Sequence, residues 1–338
     1  MVHELLEKLV RREDLTADEA SAAMAEIMDG VATESAMAGF LMGLAMKGER
    51  PSEIVGLART MRERAVRLSK TYDDAVDLCG TGGDRTGTFN ISSVASLVVA
   101  ACGTRVAKHG NRSVSSRCGS ADLFEALGVP AAAPPDRVER MLDEAGFAFL
   151  FAPVFHPSMR HAAPVRRALG LPTAFNLLGP LTNPVRPRRQ VVGVSRPELT
   201  ELIALSLLLL GSERAWVVHG ADGLDEISTV GYTKVSECRH GSVNTFYVHP
   251  SDYGLTRATC ESIRGGDAQD NAAIARSVLA GTRGAQRDVV LLNAGAALLV
   301  AGSAPTVAEG IEMAADAIDC GRASAVLAKM TSSCAEAA

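Results

Sequence analysis

Two rhythms of apolar and polar positions run along this chain, and the change between them near residue 70 sets its organisation. Up to about residue 68 the apolar side chains recur at helical spacing, which predicts four consecutive helices and no strand. The first carries a stripe through Leu5, Leu6 and Leu9. The second, LTADEASAAMAEIMDG, opens with Thr16 as N-cap and Glu19 three residues on, the pairing of a capping box, and stops at Gly30. The third runs from a cap at Thr33 to a terminator at Gly48. The fourth, PSEIVGLARTMRERA, starts on Pro51 with Glu53 near the positive end of the helix dipole. Over residues 36–46 the third helix is apolar nearly all round, with Gly39 and Gly43 among its small residues. A helix without a polar face has to be covered on several sides. A central place in its own bundle would do this. A helical unit of this size covers such a helix poorly alone, so packing against another subunit is expected.

From Ala75 the pattern becomes strand, loop, helix. Residues 75–79 read as a short strand, a glycine-rich loop follows, and 91–102 read as a helix ended by Gly103. A second strand at 104–107 leads into KHGNRSVSSRCGSAD, then helices at 121–127 and 136–145 and a strand at 147–151. Residues 157–185 carry many Pro and Gly and few strand signals. Strands resume at 190–194 and 214–218, and helices are expected at about 267–280, 289–301 and 305–329. Such alternation implies an α/β fold with a mostly parallel sheet, whose ligands bind beyond the carboxyl ends of the strands. Both unusual loops directly follow strands, so both belong at that edge.

Composition narrows the class. A chain of 338 residues, 47% hydrophobic, is ample for a large core and suggests two domains or one with a sizeable insertion. A net charge of −5 and only 4% aromatic residues disfavour a nucleic-acid-binding surface and base-stacking platforms. The seven cysteines, at 79, 102, 118, 238, 260, 320 and 334, are scattered and free of CxxC spacing, so they read as thiols in a reducing compartment rather than disulfides or a zinc site. No signal peptide opens the chain, and apolar stretches break before membrane-spanning length. A cytoplasmic protein without a membrane or nucleic-acid partner is expected.

Four stretches carry chemistry. LCGTGGDRTGTFNISS, residues 78–93, places Gly80, Gly82, Gly83 and Gly87 between a short apolar run and a helical pattern starting at Ile91. Glycine lets a ligand approach the main chain, and successive N–H groups followed by a helix N-terminus make a phosphate cradle. No Gly-Lys-Ser/Thr closes the run, so it is no Walker loop, and a plain surface turn is the alternative. KHGNRSVSS, residues 108–116, brings potential cations and hydroxyls after a strand, a combination that neutralises phosphate and satisfies its lone pairs. HGADGLDEIS holds the adjacent Asp225 and Glu226, which in an extended segment point to opposite sides. They would straddle two ions, or hold one ion and one water cage. FHPSMRHAAPVRRALGLPTAFNLLGPLTNP, residues 155–184, mixes His156, Arg160, His161, Arg166 and Arg167 with an almost uncharged tail, where an arginine suits a planar carboxylate. A solvated basic turn is the plain alternative for the second stretch, and solvated surface charges for the last two.

The set GTGGD, TFNIS, KHGNR, SSRCGSAD, HPSMRHAAPVRRALG, FNLLGPLTNP and HGADGLDEIS, in that order and over essentially the whole chain, resembles the anthranilate phosphoribosyltransferases of tryptophan biosynthesis. GTGGD and KHGNR are shared in form with pyrimidine nucleoside phosphorylases of the same fold. The NIS run, the DGLDE pair and the MRHAAPVRRALG segment are far more specific to the transferase. The resemblance implies a small all-helical domain, residues 1–70 plus about 164–185, hinged to a larger α/β domain, residues 71–163 plus about 186–338, and a homodimer through the helical domains.

It also implies roles. Gly80, Gly83, Asp84 and Thr88 would contact 5-phosphoribosyl-1-pyrophosphate. Asn90, Ile91, Ser92 and Ser93 would continue the cradle with Lys108, His109, Gly110, Asn111, Arg112, Ser113, Val114, Ser115 and Ser116, ending at Ser120. Ser92 and Glu226 would hold one Mg²⁺, and Asp225 with Glu226 a second. Gly80, Asn111 and Arg166 would meet anthranilate, with His109 and Pro180 lining its path. Lys108, Asn111 and Arg166 are the side chains expected to act on the reaction. An aromatic amine is already a nucleophile, so catalysis by positioning and electrostatic preorganisation is expected, with no Ser–His–Asp or Cys nucleophile. A nucleoside phosphorylase should lack the DGLDE pair and the Arg166 segment. A non-catalytic binder of phosphoribosyl ligands or nucleic acid should have lost metal ligands or gained a basic surface. Arg85 and Thr86 replace the small residues expected after GTGGD, Cys118 stands where serine is commoner, and Ser93 where threonine is.

Overall fold

The structure, a computed structural model, describes residues 1–113 and 117–335. Four helices come first: α1 (Val2–Val10), α2 (Ala17–Met28), α3 (Glu34–Lys47) and α4 (Pro51–Arg64). The Thr16–Glu19 capping box forms, Thr16 N donating to Glu19 at 2.9 Å and Glu19 N to Thr16 Oγ1 at 3.2 Å. Glu53 does more than face a dipole. It is fully buried, where its carboxylate accepts from Leu15 N and Arg50 N, both at 2.8 Å, and pairs with Lys47 at 3.0 Å. An unpaired carboxylate could not sit there. Gly56 lets α4 cross α2, since a Cβ on it would lie 2.1 Å from the carbonyl oxygen of Ala17. On α3, Met37, Phe40, Leu41 and Leu44 are buried, while Gly39 and Met46 are exposed, so this chain covers only part of the helix.

The remainder follows in chain order as β1 (Val76–Gly80), α5 (Ile91–Ala101), β2 (Val106–Gly110), α6 (Ser120–Ala126), α7 (Pro135–Glu144), β3 (Phe147–Phe151) and α8 (Ala152–Phe155). Then come α9 (Ala163–Leu169), α10 (Ala174–Leu178), β4 (Arg189–Gly193), α11 (Leu199–Leu209), β5 (Arg214–Gly220), β6 (Thr233–Arg239) and β7 (Ser242–Val248). The chain closes with α12 (Ala268–Leu279), α13 (Ala285–Ala301), α14 (Val307–Asp319) and α15 (Arg322–Ala335). The strands form one sheet in the order β3-β2-β1-β4-β5-β6-β7. Strands β3 to β5 along that order pair in parallel, and β6 and β7 add an antiparallel hairpin. The sheet is therefore mostly parallel, with helices on its faces, and a helical unit precedes it.

Alternation along the central strands splits the core. Val191, Trp216 and Val218 join α5 and α13 in one cluster. Val192, Val194, Ala215 and Val217 face the other way, into a cluster with α1 to α4 and α9 to α11. The N-terminal helices are thus continuous, through α10 and α11, with one face of the sheet. Four features differ from the sequence expectation. The β6–β7 hairpin and α11 had no predicted counterpart, because half-exposed strands and the leucine-rich run LIALSLLLL lack a clear period. The single helix expected at 305–329 breaks at Gly321, whose φ of 81° suits only glycine well. Helix α13 starts at Ala285, earlier than expected, since its polar first turn hides the onset of the pattern.

Strand β1 is the topological centre. The chain winds outward from it on one side through β2 and β3, and on the other through β4 and β5, so the order reverses between β1 and β4. A crevice opens at such a switch point beyond the carboxyl ends of the strands. Gly80 and Gly193, the last residues of β1 and β4, stand opposite one another there.

Candidate active site

The glycine loop leaves β1 at the switch point, and the acidic pair closes over it. Gly82 N donates to Asp225 Oδ2 at 3.1 Å, and Ser92 N, in the first turn of α5, donates to Glu226 Oε1 at 3.0 Å. The adjacent carboxylates therefore reach opposite ends of one loop. Main-chain geometry makes this possible: a Cβ on Gly80 would lie 2.9 Å from Asp225 Oδ2, and one on Gly193 only 1.5 Å from the Asp225 carbonyl oxygen. Asn293 of α13 holds the pair from behind, accepting from Ile227 N at 3.0 Å and donating to Ile227 O at 2.9 Å.

Charge is concentrated here. Burial, with Asp84 and Glu226 close by, pushes the Asp225 carboxyl well above its ordinary range. Burial likewise pushes Glu226 up to about 7, against the opposing pull of Lys108. Lys108 is 2% exposed and donates to the Leu78 carbonyl and, at 3.3 Å, to Ser92 Oγ. One ammonium group thus touches the strand before the loop and the helix after it.

The loop itself is tied down at both halves. Gly82, Gly83 and Gly87 all have positive φ, as does Arg85 at 59°, an uncommon conformation for a non-glycine residue. Asp84 accepts from the Thr86 hydroxyl. Thr88 bridges Arg264, and Gly265 N donates to Gly87 O at 2.9 Å. Asn90 donates to Cys118 O at 3.1 Å and accepts from Asn271 Nδ2 of α12 at 2.9 Å. Ile91 and Ser93, in the first turn of α5, are buried and hold the helix in the core.

The second loop sits alongside. Ser120 Oγ donates to Asn111 O at 3.2 Å, and a Cβ on Gly110 would lie 2.3 Å from Ser120 Oγ. Arg112 is engaged by Asp122 and Glu125, each at 2.7 Å, rather than free at the crevice. Ser113 N approaches Asp122 at 3.4 Å. Val114, Ser115 and Ser116 lie outside the described residues. His109 is buried, its Nδ1 at 3.1 Å from the carbonyl oxygen of Gly179, the residue before Pro180. Burial depresses its pKa to about 3, so the ring is neutral.

Arg166 stands on α9, its guanidinium 5.3 Å from the centre of the Phe175 ring on α10. Desolvation lowers its pKa. Among the described residues no carboxylate lies within ion-pair distance of it, which leaves the cation open to an anionic ligand. Neighbouring α10 runs into Gly179 and Pro180, and through them reaches His109.

The donor set fits Mg²⁺. That ion takes one or two carboxylates and fills its octahedron with water and phosphate oxygens. Asp225 and Glu226, with the hydroxyl of Ser92 nearby, offer that, and among the described residues no cluster of three or more His, Cys, Asp or Glu makes a closed protein cage. Sequence reasoning missed several supporting residues. Gly193, Asn271 and Asn293 lie outside the motifs, Asp77 directly precedes one, and none of these, nor Asn183, carries a chemical signal by itself. Only FNLLGPLTNP, which contains Asn183, had drawn notice.

Comparison with known proteins bears on the family and the fold. The chain matches the glycosyl transferase family helical bundle domain over residues 3–65 and the a/b domain of the same family over 72–324. It is 54% identical over 330 residues to an anthranilate phosphoribosyltransferase of Moorella thermoacetica, covering 98% of this chain and 97% of that one. The crystal structure of the enzyme of that name from Thermus thermophilus superposes with a TM-score of 0.91 at 44% identity, covering 97% and 98% of the two chains. One from Saccharomyces cerevisiae in complex with PRPP and Mg superposes at 0.90, with 27% identity over 99% and 98%. The yeast protein has also been solved with 4-fluoroanthranilate.

Proposed function

This chain belongs to the anthranilate phosphoribosyltransferase family, and from that premise we propose that the crevice at the β1–β4 switch point is where it works. The chain is a glycosyl-transferring enzyme. It moves the phosphoribosyl group of 5-phosphoribosyl-1-pyrophosphate to the amine of anthranilate, giving N-(5-phosphoribosyl)anthranilate and pyrophosphate, in tryptophan biosynthesis. It uses Mg²⁺. With the match running along 98% of the chain, the phosphorylase and non-catalytic readings are set aside.

One observation carries the assignment of the site. Asp225 and Glu226, side by side in sequence, bond to the two ends of the glycine loop, at Gly82 and Ser92. This makes a cradle with N–H groups on one side and two carboxylates on the other. Pyrophosphate would bind the N–H groups of the glycine loop and the Lys108–Ser120 loop, with Lys108 adding a fixed positive charge. Ser92 and Glu226 would hold one Mg²⁺, and Asp225 with Glu226 a second; bound there, the ions would neutralise the charge that departs with pyrophosphate. Arg166 would take the anthranilate carboxylate bidentately, with Asn111 and Gly80 at the amine and Pro180 and the neutral His109 along its path. The reaction needs an amine held in line with the leaving group and little proton transfer, so fixed geometry and preorganised charge carry it.

The helical domain would comprise residues 1–70 with about 164–185, and the uncovered face of α3, around Gly39 and Met46, would be closed by a second copy in a homodimer. Among the described residues no helix is long and apolar enough to cross a membrane. The scattered cysteines, free of CxxC spacing, support a cytoplasmic location. The test is direct: mix the protein with anthranilate, phosphoribosyl pyrophosphate and Mg²⁺ and follow anthranilate fluorescence. Loss of signal that a chelator abolishes is expected. No loss, or loss indifferent to the chelator, refutes the reading.

A further inference from the structure

Four successive peptide carbonyls, at residues 179–182, each accept a hydrogen bond from a side chain on a different element. His109 Nδ1 on β2 donates to Gly179 O at 3.1 Å, and Gln190 Nε2 on β4 to Pro180 O at 2.8 Å. Arg62 Nε on α4 donates to Leu181 O at 2.6 Å, and His156 Nε2, just after α8, to Thr182 O at 2.9 Å. The next residue continues the pattern through its side chain. Asn183 Nδ2 donates to Asp77 Oδ2 on β1 at 2.9 Å and to Ala107 O on β2 at 2.8 Å, while its Oδ1 accepts from Val185 N at 2.9 Å. The other oxygen of Asp77 accepts from His109 N at 3.2 Å, which closes a ring back to the first donor. Asp77 and Gln190 are wholly buried, and Asn183 is 1% exposed.

Satisfying buried carbonyls does not by itself require this arrangement. A helix continued by one turn, or water, would serve, and most side-chain hydrogen bonds in proteins are scattered. Here hydrogen-bond partners from the helical unit (Arg62), three strands and the connection after β3 converge on five residues. The position of that segment is over-determined. It also lies where the helical unit meets the sheet, and α10 runs straight into it, carrying Phe175, against which the Arg166 guanidinium rests.

We infer that residues 179–183 form a fixed pivot for the aromatic substrate, and that Arg62, His156, Gln190 and Asn183 are positioning residues for it. The inference rests on the reading that Pro180 and His109 line the path of anthranilate and that Arg166 takes its carboxylate. Among the described residues, Gly82, Ser92 and Lys108 of the pyrophosphate cradle make no hydrogen bond to the segment. The cradle's donors belong to the loop after β1, the first turn of α5 and β2. Loosening the pivot therefore shifts the amine and leaves the cradle in place.

The test is the split between the two substrates. Gln190→Met keeps the volume and removes the donor to Pro180. Arg62→Met does the same for Leu181 on a half-buried side chain at the edge of α4, where folding is less at risk. In each, the KM for anthranilate is expected to rise about tenfold or more while that for phosphoribosyl pyrophosphate stays within about twofold, since small misplacements of a reactant are costly. Arg62→Lys, which keeps a cationic donor within reach of Leu181 O, should recover most of the loss. Thr200→Val breaks an equally buried hydrogen bond, 3.0 Å to Pro197 O, at a distance from the segment, and is expected to move neither KM. A rise in both KM values together, or no rise beyond that of Thr200→Val, overturns the inference. If Gln190→Met does not fold, the two Arg62 variants decide by the same criterion. A wild-type protein that consumes no anthranilate overturns the functional reading and the pivot with it. An active wild type with indiscriminate variants overturns the pivot alone.

Discussion

Replacing Gly193 by alanine is the sharpest test of how the site is assembled. The residue has ordinary backbone angles, so its only claim to being glycine is space. A Cβ built on it lies 1.5 Å from the carbonyl oxygen of Asp225 and 2.5 Å from the carbonyl carbon. Ordinary contact begins near 3.4 Å, so the two chains must separate by about 3.4 − 1.5, or 1.9 Å, a forced overpacking of the kind that costs roughly 1–3 kcal/mol or more. Neither side yields easily. The acidic segment is pinned before Asp225 by Gly220 N on Leu224 O at 2.8 Å, and after it by Asn293 on Ile227. Strand β4 is hydrogen-bonded on both edges, to β1 and β5. Whichever moves, Asp225 and Glu226 leave their positions against Gly82 and Ser92. A misplacement of about 1 Å at a reacting centre can cost a hundredfold in rate, so Gly193→Ala should lose at least roughly that in kcat/KM. The assay is the fluorescence of anthranilate at several Mg²⁺ concentrations, with thermal unfolding in parallel. A variant that folds and keeps its kcat/KM within about threefold, with unchanged Mg²⁺ dependence, would show that the acidic pair is not held where the chemistry needs it.

Other outcomes follow from the same geometry. Arg166→Ala removes a desolvated cation that stacks on Phe175, so the KM for anthranilate should rise by roughly tenfold or more, with phosphoribosyl pyrophosphate little affected; Arg166→Lys should restore only part, because a point charge lacks the planar fork. An equal effect on both substrates would refute the assignment. Asp225→Asn combined with Glu226→Gln should abolish activity even at high Mg²⁺, and Mg²⁺ should no longer raise the melting temperature. Without metal, the variant should be more stable than the wild type at pH 8. The folded Glu226 carboxyl is raised to about 7 from an ordinary value of 4.5, so the wild type loses stability as the pH climbs through that window. His156 acts in the opposite sense. Its pKa is lowered from 6.5 to about 4 by burial, so the folded state refuses a proton that the unfolded state accepts, and stability is full above pH 6.5 and lost on acidification toward 4. That interval is worth roughly 3 kcal/mol, and His156→Phe should flatten the fall in melting temperature between those pH values.

Much of the site was legible in the residues. Glycines with hydroxyls before a helix, cations after a neighbouring strand and an acidic pair on a third loop are chemical signatures, and strand–helix alternation assigns all three to one edge of a sheet. What was not legible has no chemistry of its own. Asn271 is an ordinary helical asparagine until the fold brings it to 2.9 Å from Asn90. Gly265 matters because a Cβ there would sit 2.6 Å from the Phe89 backbone, a contact across well over a hundred residues of chain. Arg112, grouped with the phosphate ligands by its motif, turns instead to Asp122 and Glu125 one helix further on. Arg85, a departure from the family pattern, proves to occupy a left-handed position among glycines, which explains where it sits but not what its charge does.

Local pattern, then, determined the elements, the class of fold and the kinds of group that would meet phosphate, metal and carboxylate, because caps, periodicity and side-chain chemistry act within a few residues. The tertiary structure alone decided which carboxylate meets which end of the glycine loop, why Gly193 must be glycine, and how residues 179–183 are fixed from several elements at once. Those depend on distances between segments that are remote in sequence, set by sheet order and close packing, and no local signal along the chain encodes a distance.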